Sequence, residues 1–282
     1  MKDNSAVRAA LDPSPLQGVL PLWGICEHEG HSVLMAAFPY LLPEERYAGR
    51  NVSRYAVPRD YHEICGARLE RACALLRAAF PGEEFRPHCD STSLPEVDLA
   101  IKAGLGIRGK HNLLITQAYG SWVFLGGIVT AAQLPMHNAQ RTMHNCLNCN
   151  ACVNACPTGA LSGHGFDKSK CLSHITQRRG ELSPEEAALM RRANTAWGCD
   201  LCQEACPHNR NAKIDPLPEF LLDPIARVTE DTPLAGRAYA WRGERVLRRN
   251  IATLNTTKAA HNAPGRLSPS VRGDVMKRQG GA

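Results

Sequence analysis

The sequence lacks several features that define common classes of protein. Its longest apolar stretches, Val33–Leu42 and Trp122–Ala132, are much shorter than the ~20 residues needed to cross a bilayer. The N-terminal residues contain no apolar segment of the secretory-signal type. No GxGxxG motif lies between a strand and a helix, and no GxxxxGK[ST] motif is present, so neither a Rossmann-type nucleotide site nor a P-loop ATPase is supported. We therefore expect a cytoplasmic protein that does not cross a membrane.

The bulk composition is that of an ordinary globular protein, but its charge is unevenly distributed. The chain has 282 residues, of which 44% are hydrophobic and 21% charged, enough for one large domain or two ordinary ones. Residues 236–282 contain ten basic and two acidic side chains, so this segment has a net charge of +8 within a total of +6. A localised basic segment is typical of proteins that bind polyanions. A solvated helix with a ragged, disordered end would show the same pattern.

Eight of the twelve cysteines form two groups in the middle of the chain. The run CLNCNACVNACP contains Cys146, Cys149, Cys152, Cys156 and Pro157, and the run CDLCQEACP contains Cys199, Cys202, Cys206 and Pro207. Cys171 lies alone between them. The spacing of the first run is that of bacterial [4Fe–4S] proteins, in which the fourth cysteine binds the other cluster. The sequence predicts one cluster on Cys146, Cys149, Cys152 and Cys206, and a second on Cys156, Cys171, Cys199 and Cys202.

Two other uses of these cysteines remain open at this point. Tetrahedral zinc also uses CxxC turns, but it favours two separate pairs rather than this continuous run. Disulfides would imply an oxidising compartment, and nothing else in the sequence indicates one. Cys26, His28 and His31 match no standard metal site, so we expect them in a loop or on the surface.

Hydrophobic periodicity predicts alternating strands and helices before the cysteines, which is an α/β or α+β pattern. The predicted strands are Ser32–Leu42, Glu84–Ser93, Leu113–Thr116 and Gly120–Ala131, and the helices between them are Asp60–Phe80 and Pro95–Ala103. Two further helices, Leu182–Ala193 and Ala235–Leu254, are predicted after the first cysteine run. Cys65 and Cys73 are expected in the core. Ser183 and Glu186 form the signature of a capping box. A proline-containing linker is expected at 216–233.

Two features before the cysteines could bear chemistry. Asp90 lies at a predicted junction between strand and turn, where half-burial would raise its pKa towards that of a proton donor. Alternatively, its carboxylate caps the turn that follows. The segment Gly104–Asn112 has three glycines in six residues, which fits either a phosphate-binding loop or a tight turn.

Several stretches in the same order resemble the epoxyqueuosine reductase family, the iron–sulfur, cobalamin-dependent enzymes of tRNA queuosine biosynthesis. They are SRYAVPRDYH (53–62), FRPHCDSTS (85–93), AGLGIRGKHNLLI (103–115), GSWVFLG (120–126), the first cysteine run, KCLSHITQRRG (170–180) and WGCDLCQEACPHNR (197–210). The resemblance covers roughly residues 32–210.

The resemblance implies a nitroreductase-like cobalamin-binding domain (1–135), a ferredoxin-like domain with two [4Fe–4S] clusters (136–215) and a short basic helical tail (216–282). The implied reaction removes the epoxide oxygen of epoxyqueuosine at the wobble position of tRNA, with electrons passing through the clusters to base-off cobalamin. Binding without a histidine ligand agrees with the lack of a DxHxxG motif, since Gly66 lies one position too far from Asp60 and His62. We expect a monomer that takes electrons from a flavodoxin or ferredoxin.

The resemblance also implies roles for individual residues. Asp90 aligns with the proton donor of the family, although Cys89 replaces the valine that usually precedes it. The cobalamin contacts would be Ser53, Asp90, Asn112, Leu114, Leu125, Ile128 and Ser173. Arg178 and Arg179 lie where the family contacts tRNA, although either could be plain surface charge.

The chain departs from the family in ways that leave other functions open. The region before the first matching strand is shorter than usual, Ile107 replaces a bulky residue, and the C-terminal helical repeats of some members are missing or reduced to one helix. One alternative is a cobalamin and iron–sulfur reductase of a small molecule, similar to a dehalogenase. Another is an iron–sulfur subunit that passes electrons to a partner protein.

Overall fold

A four-stranded antiparallel sheet organises the N-terminal half of the protein. The computed structural model describes residues 16–90, 94–136, 145–163 and 165–261, with side chains described up to residue 256. The strands are β1 (Leu22–His28), β2 (His31–Pro39), β3 (Arg86–His88), β4 (Ile107–Arg108), β5 (Leu114–Ile115), β6 (Val123–Thr130), β7 (Leu161–Ser162) and β8 (Gly165–Phe166). The main sheet has the order β1-β2-β6-β3, while β4-β5 and β7-β8 form two small hairpins.

Helices cover both faces of this sheet. The helices are α1 (Tyr61–Ala79), α2 (Glu96–Lys102), α3 (Ala151–Ala155), α4 (Leu172–Gln177), α5 (Pro184–Ala193), α6 (Leu201–Glu204) and α7 (Glu244–His261). Helix α1 packs on one face of the sheet and α2 on the other, so every residue of β2 after His31 is buried. The predicted mixed α/β fold and the strand buried on both faces are confirmed. Gly126 permits the close approach of α1, because a Cβ there would lie 2.8 Å from Cδ1 of Leu69.

The helix ends follow the predicted capping chemistry. Asp60 caps α1, since its Oδ1 accepts the backbone N–H of His62 at 3.0 Å. Ser183 and Glu186 form the predicted capping box at the start of α5. Cys65 and Cys73 are fully buried in α1, as expected for small apolar side chains.

Some local predictions were wrong. Cys26 and His28 were expected in a loop or on the surface, but they lie in β1, which begins directly after Pro21 and pairs with β2. Cys26 is therefore buried in a strand rather than exposed in a loop. Only Arg86–His88 of the strand predicted at 84–93 pairs with β6, because Asp90 turns the backbone with a φ of 48°. The remainder of that prediction, residues 91–93, lies outside the described residues.

The segment predicted as a linker is part of the core. Leu217, Phe220 and Val228 are buried in the same apolar cluster as the helix and strand residues of the N-terminal half. Helix α7 begins at Glu244 rather than at residue 235, since Gly243 has a φ of 78° that ends the preceding 3-10 turn. The division at residues 135 and 215 stays a prediction. In the described part of the chain, no helix is both long enough and apolar enough to cross a membrane.

Asn250 ties α7 to the cysteine-rich half, so its loss should be costly. Its fully buried side chain donates to the carbonyl oxygens of Thr176 and Ala196, each at 2.7 Å. We expect Asn250→Ala to lower the free energy of unfolding by about 2–4 kcal/mol, because two buried acceptors lose their donor. Asn255→Ala, on the exposed face of the same helix, should change it by less than about 0.5 kcal/mol. Urea midpoints of the two variants provide the comparison, and equal midpoints would contradict it.

Candidate active site and iron–sulfur centres

The first predicted group of cysteines is assembled by two short helices. Cys152 lies in α3 and Cys206 just beyond α6, and these two helices pack against each other. Burial raises the pKa of Cys206, and the neighbouring thiols of Cys146, Cys152 and Cys149 raise it further. These four cysteines also line one small cavity. The structure therefore brings together the four residues that the spacing predicts for one cluster.

The second group is assembled around the N-terminus of α6. Burial raises the pKa of Cys199 to about 12, and the nearby groups that add to this effect include Asp200, Cys171 and Cys156. Burial likewise raises the pKa of Cys202, with contributions from Cys199 and Cys171. Cys156, Cys171, Cys199 and Cys202 thus lie near one another as predicted.

No disulfide links any of the twelve cysteines, all of which lie in the described part of the chain. Cys202 is also within electrostatic range of Cys152, which makes the two groups of four direct neighbours. Within the described ranges, no three His, Cys, Asp or Glu side chains lie close enough to hold a single metal ion.

Two histidines beside the first group were not anticipated from the sequence. His111, in the turn between β4 and β5, and His208, next to Pro207, line the same cavity as the first four cysteines. The Nε2 atom of each ring is buried and makes no hydrogen bond within the described part of the chain. Burial lowers the pKa of His111 to about 4, so its ring is neutral at physiological pH. The GKHN segment holds His111, but nothing in its spacing pointed to the cysteines.

Asp90 lies at the end of β3, where its carboxylate meets the start of α1. The hydroxyl of Tyr61 donates a hydrogen bond to Oδ2 of Asp90, and Nε2 of His62 lies 3.7 Å from the same oxygen. The side chain is 59% exposed, so the expected half-burial is wrong. The left-handed backbone at Asp90 directs the carboxylate to the surface, where it faces the first turn of α1.

Two acidic groups flank this carboxylate. Nδ1 of His62 donates a hydrogen bond to Oδ1 of Asp60 at 2.7 Å, and this bond raises the pKa of His62. On the other side, Oε1 of Glu96 accepts the backbone N–H of Asp90 at 3.1 Å. Burial raises the pKa of Glu96 to about 7, and the charge of Asp90 contributes. Glu96 was not predicted from the sequence, because a glutamate in the first turn of a helix ordinarily serves only to interact favourably with the helix dipole.

Two of the residues predicted to bind cobalamin, Ser53 and Ser173, both lie near Tyr55. Ser173 accepts a hydrogen bond from Gln177 at 3.0 Å, and Gln177 also reaches the hydroxyl of Tyr55 at 3.3 Å. Ser53 is buried, and its Oγ makes no hydrogen bond within the described residues. A Cβ at Gly198 would lie 2.1 Å from that Oγ, so the chain needs glycine there.

The other predicted cobalamin contacts are more widely spread. Asn112 is exposed on the turn between β4 and β5, and its Oδ1 accepts from Arg108 at 2.6 Å. The side chains of Leu114 and Ile128 are buried in separate apolar clusters on the two sides of the sheet. Leu125 packs on the same side as Leu114. The structure therefore does not bring the side chains of Leu125 and Ile128 to a common surface.

The two arginines predicted to contact tRNA differ in their surroundings. Arg178 is half-buried and forms an ion pair with Glu186 in α5. Arg179 is exposed and has no ion pair or hydrogen bond with any described residue. Of the two, only Arg179 presents an unpaired charge to solvent.

Comparisons with known proteins agree with this arrangement. Residues 26–91 match the family model described as "Epoxyqueuosine reductase QueG, DUF1730", and residues 145–209 match the "4Fe-4S double cluster binding domain". An epoxyqueuosine reductase of Shewanella oneidensis is 36% identical over 221 residues, which are 72% of this chain and 55% of that protein. A relative from Listeria monocytogenes is 33% identical over 232 residues, 76% of this chain and 60% of that protein.

Solved structures show the same fold. A crystal structure of epoxyqueuosine reductase with an epoxyqueuosine-modified tRNA-Tyr stem loop has a TM-score of 0.69 at 22% identity, covering 90% of this chain and 74% of that one. A Bacillus subtilis epoxyqueuosine reductase, described with an aspartate catalytic loop swung out of the active site, has a TM-score of 0.66 at 24% identity, covering 80% of this chain and 63% of that one.

The fold and the paired cysteine groups define a protein that combines an α/β domain with a double [4Fe–4S] domain. In sequence, the chain is similar to epoxyqueuosine reductases over about 70% of its length. It spans about half to three-fifths of the length of the curated relatives that it matches.

The raised pKa of Glu96 predicts a pH dependence of stability. The folded protein holds a proton on Glu96 up to about pH 7, whereas the unfolded chain releases it near pH 4.3. The unfolding free energy should therefore decline as pH rises through this window, by at most about 4 kcal/mol for this group, and Glu96→Gln should make the decline smaller. Urea midpoints between about pH 5.5 and 8 test this. The exposed Glu63→Gln is the control, and an unchanged slope in Glu96→Gln would contradict the prediction.

Proposed function

We propose that this protein reduces epoxyqueuosine to queuosine at the wobble position of tRNA, with Asp90 as the proton donor. The observation that most favours this function is the position of Asp90. Its carboxylate is exposed to a substrate, yet one oxygen is held by the Tyr61 hydroxyl and its backbone N–H by Glu96. Similarity in sequence to epoxyqueuosine reductases supports the reaction, and the Bacillus subtilis enzyme of similar fold is described with an aspartate catalytic loop.

The donor sets fit the cofactors that this reaction needs. Eight thiols in two neighbouring groups of four suit two [4Fe–4S] clusters. For cobalamin, Oγ of buried Ser53 and the exposed side chain of Asn112 would offer polar contacts, as would Ser173, and Leu125 would offer an apolar one. Leu114 and Ile128 would contribute through their backbone, because their side chains fill the core. Together these cofactors would supply the two electrons of the reduction.

The residues around Asp90 explain how the proton would be delivered. Removal of the epoxide oxygen needs two electrons and two protons, which leave an alkene and water. Protonation of the oxygen as its C–O bond breaks avoids a high-energy alkoxide leaving group. Tyr61 keeps its own proton, because burial and the charge of Asp90 raise its pKa, so it orients the Asp90 carboxyl rather than replacing it as the acid. His62 and Glu96 lie close enough to resupply a proton.

The surface charge is consistent with a tRNA substrate. Arg179 presents an unpaired guanidinium, and the basic residues of α7 lie on the adjoining part of the structure, because Arg249 donates to the carbonyl oxygens of Arg178 and Gly180. Cations in such an arrangement bind phosphates without reading sequence. Helix α7 is therefore part of the proposed tRNA-binding surface, and the electron donor would be a flavodoxin or ferredoxin.

Substitution of Asp90 tests this proposal. The reconstituted protein, supplied anaerobically with cobalamin, a strong reductant and epoxyqueuosine-containing tRNA, should convert the nucleoside to a product lighter by one oxygen. Asp90→Asn should slow this conversion by at least about 100-fold, because the amide cannot donate the proton as an acid. Mass spectrometry of the digested nucleosides measures the product.

The control for that experiment is Asp98→Asn, an exposed carboxylate in α2 that pairs with Arg108, which should retain activity. A fully active Asp90→Asn variant would overturn the role of Asp90. Failure of the wild type to convert the tRNA, with both clusters and cobalamin bound, would instead favour a small-molecule substrate. Failure to bind cobalamin would favour an electron-transfer subunit.

Cys171 provides a separate test of the cluster assignment. It is the ligand that lies outside both runs, so Cys171→Ala should leave one group of four incomplete and the other intact. Iron should fall from about eight to about four atoms per chain. Cys73→Ala, which replaces a buried core cysteine of α1, should leave the iron content unchanged. An iron content near that of the wild type in Cys171→Ala would reject the assignment.

A further inference from the structure

Two imidazoles, each with a buried Nε2 atom that lacks a hydrogen-bonding partner among the described residues, lie beside the first group of cysteines. His111 comes from the α/β half of the chain and His208 from the end of the cysteine-rich half, yet both line the cavity formed by Cys146, Cys149, Cys152 and Cys206. Nε2 of each has no hydrogen bond within the described residues. Buried polar atoms without a partner are rare and indicate a ligand, an ion or a special role.

The hydrogen bonding of His111 determines which of its nitrogens bears the proton. The backbone N–H of Leu113 donates to Nδ1 of His111 at 3.2 Å. Since Nδ1 is an acceptor, the proton of the neutral ring must be on Nε2. The unpartnered atom is thus a hydrogen-bond donor on a residue that lines the same cavity as the four cysteines.

The backbone around His111 fixes its ring in this position. Gly109 lies against the ring, and a Cβ at that residue would come within 2.5 Å of Cε1 and 2.9 Å of Nδ1 of His111. A side chain at 109 would therefore displace the imidazole. Contact with the His111 ring, rather than phosphate binding, therefore accounts for the glycine at position 109 of this loop.

His208 is held in place from the other side of the cavity. The neighbouring Asn209 accepts the backbone N–H of Ser121 at 2.7 Å and donates to the Ser121 hydroxyl at 2.8 Å. These bonds attach the chain just after Cys206 to the loop that precedes β6. His208 is therefore positioned by contacts between the α/β half and the cysteine-rich half.

We propose that His111 forms an N–H···S hydrogen bond to the cluster on Cys146, Cys149, Cys152 and Cys206 and raises its reduction potential, while His208 lines the same cavity. This inference rests on the proposed assignment of those four cysteines. Reduction adds negative charge to the cluster and its thiolates, and a donor directed at a sulfur stabilises that charge, so hydrogen bonds to sulfur raise the potential.

The effect should be confined to one of the two clusters. His111 lies at the first group, whereas the second group has its own donors, among them the Thr158 hydroxyl at 3.5 Å from Sγ of Cys156. Replacement of His111 should therefore change the potential of the first cluster and leave the hydrogen bonds of the second unchanged.

The test is an anaerobic redox titration of the full-length, reconstituted protein, followed by electron paramagnetic resonance. His111→Leu should shift the midpoint potential of one cluster to a more negative value and leave the other unchanged, with the iron content that of the wild type. His111→Gln, which restores an N–H donor, should recover part of the shift. Gly109→Ala, which keeps the histidine but displaces its ring, should show the same negative shift as His111→Leu. The exposed His31→Leu is the control and should shift neither potential.

A direct measurement of the hydrogen bond complements the potentials. In protein labelled with ¹⁵N-histidine, pulsed electron paramagnetic resonance of the reduced cluster should detect a coupled imidazole nitrogen, and His111→Leu should remove that coupling. Unchanged potentials and coupling in an iron-replete His111→Leu variant would overturn the inference, as would equal shifts in both clusters. A wild type that fails to assemble two clusters would instead refute the proposed cysteine assignment.

Discussion

The arrangement of the cysteines depends on one buried polar junction between the two halves of the chain. Residues 50–54 are hydrogen-bonded to residues 196–200 through backbone groups and a buried carboxylate: Ala196 N–H donates to Asn51 O at 2.6 Å, Ser53 N–H to Trp197 O at 2.7 Å, and Arg54 N–H to Asp200 Oδ2 at 2.7 Å. Arg50 pairs with the same carboxylate at 3.1 Å. Because these groups are buried, separating the halves would leave them unsatisfied. The junction thereby fixes Cys199 and Cys202 relative to the sheet.

Burial of the Asp200 carboxylate opposes formation of this junction. Burial raises the pKa of its carboxyl to about 6, so the negative charge is retained at neutral pH only because Arg50 and the Arg54 amide offset its desolvation. Arg54 is in turn held by Glu44 at 2.8 Å and Glu204 at 3.2 Å, and it lies over the ring of Tyr47. The junction is therefore a connected network rather than a single ion pair. Removal of one charged side chain would leave its partner with a charge that nothing compensates.

The sequence predicted what depends on local spacing and missed what depends on tertiary contacts. Cysteine spacing gave both groups of four, and local capping rules gave the start of α5 at Ser183, because these features involve residues close in sequence or a fixed ligand count. The linker prediction at 216–233 failed because prolines are compatible with a buried irregular segment, and Phe220 supplies the apolar side chain that fixes it. Glu96 and His111 were missed for a related reason, since their raised and lowered pKa values come from burial that only the folded chain creates.

The same contacts connect the cysteine-rich half to Asp90. Trp197, two residues before Cys199, donates its indole N–H to the hydroxyl of Tyr55 at 2.9 Å. The ring of Tyr55 meets that of Tyr61 edge-on, with centroids 6.4 Å apart, and Tyr61 donates to Asp90. Each of these aromatic side chains is fixed both by the packing of its ring and by a hydrogen bond that its polar atom makes. A shift at the cysteines would therefore move the Asp90 carboxyl as well, so the groups that deliver protons and the groups that bind the clusters are positioned by one continuous set of contacts.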